Sequence, residues 1–260
     1  MINKIHLNSN YSENYRNADP FPHIVLDDFL EEDFLKRIVK NFPDRSKHFD
    51  ISKFQTEENK TNYNPASMEL GVEILDCFGR LNSMEILSFL ERLTGIEALL
   101  PDPGFMGGGL HESFDGGNLG IHLDFNYHKY YALHRRMNMI IYLTDDWQEE
   151  YGGSLELWNE DMSECVKSVL PRKNRAVIFN TTDKSYHGHP DPMKLPKGVS
   201  RKSVALYYYT SRSPADVREV EWTEHYKRAD KKDYKFQGIG AKIVTEILPP
   251  ILTRLIRRVL

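Results

Sequence analysis

Cysteine is scarce: the 260 residues include two, Cys77 and Cys165. Two cannot build the disulfide framework of a small secreted scaffold; they fit a reducing compartment, though one pair is also compatible with secretion. No apolar stretch approaches the roughly 20 residues that span a bilayer. The first residues, Met1-Ile2-Asn3-Lys4-Ile5-His6-Leu7-Asn8, lack the apolar run of a signal peptide, so a cytoplasmic location is expected. Charge of one sign is not in excess either. The 34 Lys and Arg stand against 38 Asp and Glu, well mixed, for a net charge of -4. That balance gives no general basic field, and no nucleic-acid partner is expected. Internal repeats and low-complexity tracts are absent. What is present is a hydrophobic content of 40%, enough for a real core in one large domain or two small ones.

The chain changes character near its middle. Phe21 to Phe29 reads as a short extended segment, with Asp28 placed to cap a following helix. Leu30, Phe34, Leu35, Ile38 and Val39 recur at helical spacing until Phe42-Pro43. Residues 44–66 are polar and read as an ordered loop or a mobile lid. Helical periodicity returns over 67–94, and Gly95 is a plausible C-cap. From Gly104 onward glycines cluster at turns, and Met137–Leu143, Gly153–Trp158, Ala176–Phe179 and Ser203–Tyr209 read as strands. Helices first and strands later predict an α+β domain, with helices on one side of a β-sandwich or barrel. Residues 213–237 are highly charged. In 251–260, Arg254, Arg257 and Arg258 share one helical face, and Leu252, Leu255, Ile256 and Val259 share the other. That segment is expected to dock on the domain or on a second subunit, giving a homodimer; weak membrane-surface contact is the alternative.

Chemistry concentrates in a few residues. His122 and Asp124 are two apart, a spacing that puts both side chains on one face of a strand. His187 lies 63 residues beyond Asp124, across several expected strands, and Arg201 follows His187 by 14. Two imidazoles and one carboxylate can bind one face of Fe(II) and leave the other open. A guanidinium downstream can hold the far carboxylate of a dicarboxylic co-substrate by a planar two-point contact.

In order, spacing and flanks the chain resembles the Fe(II)- and 2-oxoglutarate-dependent dioxygenases, and within them the prolyl 4-hydroxylase-like branch. That branch carries His-x-Asp, a distal His, and then Arg or Lys on the next strand. Arg136 to Trp147 is similar to its strand ending in a Tyr-Leu pair and an acidic-Trp turn, and Tyr151-Gly152-Gly153-Ser154-Leu155 to its Gly-Gly-x-Leu strand. Phe21-Pro22-His23-Ile24-Val25-Leu26 is similar to its N-terminal element, so the likeness runs over about 20–212.

The resemblance implies a double-stranded β-helix (jelly-roll, cupin-like) core with flanking N-terminal helices. Residues 1–212 would form one domain, with helical support over about 20–95 and the β core over about 100–212; residues 213–260 would be a charged extension. It implies that His122, Asp124 and His187 bind Fe(II), that Arg201 anchors 2-oxoglutarate, and that dioxygen is the second co-substrate, with ascorbate as a candidate reductant. Tyr142 fits the place of a hydroxyl on the same carboxylate. Ser203 and Asn138 share faces with Arg201 and Tyr142 and are expected to help. Lys202 is the competitor of Arg201, and His189 the rival of His187. Relatives that halogenate carry a small residue where Asp124 stands, so hydroxylation of an unactivated C–H bond is expected. The primary substrate is left open between a prolyl residue and a small molecule or glycan intermediate. Tyr127, His128, Arg136, Trp158 and His189 are candidate substrate contacts; the simpler reading of the aromatics after Asp124 is that they cover the barrel edge. The rival function is a non-catalytic cupin-like metal- or ligand-binding module.

Overall fold

Side-chain alternation along the long strands sets the architecture. The computed structural model describes residues 1–45, 59–66 and 70–226. Its helices are α1 (Lys4–Asn8), α2 (Ser12–Arg16), α3 (Glu32–Lys40), α4 (Val72–Leu81) and α5 (Met84–Thr94). Its strands are β1 (His23–Leu26), β2 (Lys60–Tyr63), β3 (Leu100–Pro101), β4 (Gly109–Ser113), β5 (Leu119–Leu123), β6 (Tyr127–His128) and β7 (Leu133–Tyr142). They continue with β8 (Leu155–Trp158), β9 (Cys165–Val169), β10 (Ala176–Asn180), β11 (His187–His189), β12 (Arg201–Thr210) and β13 (Glu224–His225). The segment 251–260 and residues 46–58 of the polar stretch lie outside the described residues.

The first sheet runs β1-β10-β7-β12-β4-β2, with β3 on β12 and β6 on β7; the second runs β13-β5-β11-β8-β9. All pairings are antiparallel. Met137, Met139 and Ile141 of β7, Ala176 and Ile178 of β10, and Val204, Leu206 and Tyr208 of β12 turn to one face. There they bury against Phe34, Leu35 and Ile38 of α3, Ile74 and Phe78 of α4, and Phe89 and Leu90 of α5. Each such side chain contributes about 1.5–3 kcal/mol on leaving water, which keeps the helices on this face. The alternate residues Tyr142, Val177 and Phe179 face Leu155, Leu157 and Val169 of the second sheet. Two antiparallel sheets closing on a shared interior make the double-stranded β-helix.

Local corrections have local causes. Asp28 does not cap α3: it sits at φ +51, and the helix starts at Glu32 with Glu31 as its N-cap residue. Glu32 and Asp33 then occupy the first turn and Lys40 the last, which suits the helix dipole. The helical stretch before Gly95 is two helices, broken at Asn82-Ser83, and Gly95 ends the second in the left-handed conformation at φ +75. Residues beyond 212 also enter the β core. The backbone amide of Asn126 donates to Val220 O at 2.8 Å, Val220 N donates to Asn126 Oδ1 at 2.7 Å, and β13 pairs with β5 so that His225 lies opposite His122. Val220 is buried by this strap.

Candidate metal and co-substrate site

The second sheet brings His122 and His187 together. They are register partners across β5 and β11, with ring centroids 4.4 Å apart. Gly188 makes the approach possible: a Cβ there would meet Leu119 O at 2.7 Å and Gly120 O at 2.8 Å, closer than atoms pack. Each ring is fixed by its rear nitrogen. His122 Nδ1 donates to Gly120 O at 2.9 Å, and His187 Nδ1 to Ser185 O at 2.8 Å. A carbonyl only accepts, so both Nδ1 atoms carry the proton and both Nε2 lone pairs are left for a ligand. Those Nε2 atoms point at Asp124: His122 Nε2 is 3.6 Å from Oδ1, and His187 Nε2 is 3.3 Å from Oδ2. One ligand atom from each of the three residues lies within 4.8 Å of the others, all buried. Two neutral imidazoles and a carboxylate are a donor set that fits Fe(II).

Asp124 is anchored from behind. Its Oδ2 accepts from Arg135 Nη2 at 2.7 Å and from Asn138 Nδ2 at 2.7 Å. Asn138 Oδ1 accepts in turn from Arg135 Nε at 2.8 Å and from Thr181 Oγ1 at 3.1 Å. The guanidinium lies 3.3 Å over the Tyr207 ring and 4.9 Å from that of Phe125. Burial works against ionisation at Asp124. The Arg135 guanidinium is the chief opposing charge, and the carboxyl is held well below the ordinary carboxylate range. Burial, reinforced by His122, pushes His187 below the usual imidazole range despite the pull of Asp124.

Arg201 opens β12 inside the same barrel. Its Nε donates to Gly153 O at 3.0 Å, and its Nη2 to Tyr142 Oη at 3.2 Å. Ser203, buried, is the register partner of Tyr142. Gly153 adopts φ +69, and a Cβ on it would strike Met193 Sδ at 2.6 Å and crowd Arg201 Cδ at 3.3 Å. The Gly152-Gly153 turn therefore makes room for the guanidinium and presents it a carbonyl. Arg201 is buried, yet among the described residues it makes no ion pair with a carboxylate. Burial lowers its pKa, with Tyr142 opposing. A desolvated cation with no counter-charge among the described residues marks an anion site. Lys202 points to the opposite face, 3.7 Å from Glu112 and over the Phe42 ring.

The other expected contacts divide. His189 is buried inside the barrel, with Nδ1 unpartnered among the described residues; burial, then Arg201, pushes its pKa well down. His128 is buried with Nε2 unpartnered among the described residues, its ring 4.8 Å from that of Tyr131. Asn138 does not share the pocket of Arg201. It lies four positions before Tyr142, about 13 Å along a strand, and its amide is spent on Asp124 and Arg135. Trp158 lies on the outer face of the second sheet with Ile121 and Met162, and donates to Glu156. Tyr127 stacks on His134, and Arg136 reaches Thr210 Oγ1. Arg135 is a functional residue that the sequence did not single out. Regular alternation from Asn138 puts Arg136 inside, but a register shift at Tyr208/Tyr209 pairs Tyr209 with Arg135 and turns Arg135 inward. Asn126 and His225, whose ring lies 5.5 Å from that of His122, carried no sequence signal because both depend on the strap: Asn126 bonds to it and His225 lies in it.

The sequence profile of the 2OG-Fe(II) oxygenase superfamily matches residues 109–209, which span β4 to β12. Prolyl 3-hydroxylase OGFOD1 of Mus musculus is 26% identical over 199 residues, covering 74% of this chain and 33% of that protein. The chain thus matches about a third of the length of its curated relatives. Among solved structures, a prolyl 4-hydroxylase from Phytophthora capsici aligns with TM-score 0.57 at 17% identity, covering 80% of this chain and 66% of that one. A Trichoplax adhaerens prolyl hydroxylase, in complex with a hypoxia inducible factor oxygen degradation domain peptide, aligns with TM-score 0.55 at 16% identity, covering 79% and 90%. These likenesses bear on the fold. Among the described residues no helix is long and apolar enough to cross a membrane.

Proposed function

We propose, from a β core that belongs to the 2OG-Fe(II) oxygenase superfamily, that this chain is a hydroxylase acting on prolyl residues of a polypeptide. The observation that carries the chemistry is the pairing of two sites in one interior. The His122, Asp124 and His187 cluster fits Fe(II), and the unpaired Arg201 fits the far carboxylate of 2-oxoglutarate. The prolyl substrate is favoured by the curated relative, a prolyl 3-hydroxylase. When bound, ferrous iron and 2-oxoglutarate supply the oxidation: one atom of dioxygen enters succinate as carbon dioxide leaves, and the other enters a C–H bond.

The side chains bind, orient and exclude water. His122 and His187 present lone pairs because Gly120 O and Ser185 O hold their Nδ1 protons. Arg201 would hold the far carboxylate of the co-substrate, with the Tyr142 hydroxyl beside it, leaving the 2-oxo acid end for the metal. Tyr142 stays protonated, because burial raises its pKa against the pull of Arg201, and it can therefore donate a hydrogen bond to a carboxylate. Leu155, Leu157, Val177 and Phe179 form an apolar wall that keeps bulk water from the interior. The test is a screen for succinate release over prolyl peptides, free amino acids and sugar nucleotides. Prolyl peptides should release succinate and gain one oxygen atom on the proline ring. Release with sugar nucleotides or amino acids alone would overturn the prolyl assignment.

A further inference from the structure

The reverse side of Asp124 is more elaborate than ligand binding requires. Both donors to Oδ2 come from one strand, β7, and the same two side chains are joined to each other by Arg135 Nε and Asn138 Oδ1. The guanidinium plane is pinned on the Tyr207 ring, and Arg135 is among the largest fully buried side chains of the protein. Its remaining Nη1 has no hydrogen-bond partner among the described residues, and Asp124 is the carboxylate that pairs with this buried charge. Two strong donors on one carboxylate oxygen reduce what that oxygen can give to a metal, while Oδ1, facing His122 Nε2, takes no such donor.

We propose that Arg135 and Asn138 are positioning residues that occupy Asp124 Oδ2, so that the carboxylate offers a metal one oxygen and not two. This rests on the reading of His122, Asp124 and His187 as metal ligands. A one-oxygen carboxylate leaves three positions of an octahedral ion for a two-point chelator and dioxygen; a two-oxygen carboxylate would take one of them. In the metal-free protein the Arg135 charge also stands in for the cation, keeping two imidazoles and a carboxylate together in a buried place.

Manganese binding and co-substrate binding separate this role from a merely structural one. Mn(II) is titrated by loss of the free-ion paramagnetic resonance signal, and 2-oxoglutarate is titrated by calorimetry into the Mn(II)-loaded protein. Arg135→Met should bind Mn(II) as tightly as wild type or more tightly, because a competing cation is gone and a second oxygen is released. Its loaded form should bind 2-oxoglutarate about tenfold or more weakly. Mn(II) should also raise the melting temperature of Arg135→Met more than that of wild type. Asn138→Leu removes one neutral donor and leaves the ion pair, so it keeps the test open if Arg135→Met does not fold; it should shift both affinities in the same directions by less. Arg135→Lys, which keeps the charge with a single donor, should restore part of the 2-oxoglutarate affinity. A fall of about 10–100-fold in Mn(II) affinity, the usual result of losing a group that orients a ligand, would overturn the proposal. So would unchanged 2-oxoglutarate affinity in both Arg135→Met and Asn138→Leu. Failure of the wild-type protein to bind Mn(II) would remove the metal-site reading, and this proposal with it.

Discussion

Asp124→Ala leaves a protein that retains no ferrous iron after anaerobic reconstitution and desalting, and that releases no succinate above background. The expected loss exceeds the roughly 100-fold typical of disturbing a group behind a ligand, because here one of three ligands is gone. A second effect follows from the fold. Arg135 donates to Asp124 Oδ2 at 2.7 Å in a fully buried position, so the substitution strands a guanidinium. Removing one partner of such a pair costs about 3–5 kcal/mol, so the variant should also melt at a lower temperature. Asp124→Asn keeps the shape and one oxygen for Arg135 and separates the two effects. It should recover part of the stability and little of the iron binding. Iron content and succinate release are read on both variants beside the melting temperature. Normal turnover in Asp124→Ala would show that the cluster is not the metal site.

Arg201→Ala raises the 2-oxoglutarate concentration needed for half-maximal turnover by about 30-fold or more, since truncating one side of a buried charge pair costs about 2–5 kcal/mol. The sign of its stability effect is opposite to that at Asp124. In the ligand-free protein Arg201 is buried with a carbonyl and a phenol as partners and no carboxylate among the described residues. Its removal should leave the melting temperature unchanged or higher, and 2-oxoglutarate should cease to raise it. Lys202→Ala should leave the requirement unchanged, because Lys202 sits on the other face beside Glu112 and Phe42. A steady-state series over 2-oxoglutarate concentration, with melting curves at each, checks both statements. An unchanged requirement in Arg201→Ala would place the anion site elsewhere.

The metal cluster was legible because strand parity is local. His122 and Asp124 need a single strand to share a face, and the chain between Asp124 and His187 reads as strands that can return to its start. Arg201, Ser203 and Tyr142 follow the same rule and meet across β7 and β12. The misreadings at Asn138 and Arg136, and the missed Arg135, have two related causes. Parity says which face a residue occupies, but not which neighbour wins its hydrogen bonds, and one extra residue in β7 reverses parity beyond the shift. Trp158 was misplaced for a related reason: nothing in the sequence distinguishes the inner face of β8 from the outer. The helical layer was legible in outline, while its break at Asn82-Ser83 was not, because the apolar spacing runs through it. The strap from 214 to 226 left no trace in hydrophobic pattern. Its hold on the core is the backbone of Val220 on Asn126 and the pairing of β13 with β5, contacts that no composition encodes.

The central claim is that one buried interior holds ferrous iron and a 2-oxo diacid side by side. Fe(II) followed by 2-oxoglutarate, added without oxygen to the wild-type protein, tests it directly by visible absorption. A weak charge-transfer band should rise only when both are present and should saturate with 2-oxoglutarate. A featureless spectrum from protein with confirmed full iron occupancy would contradict the account.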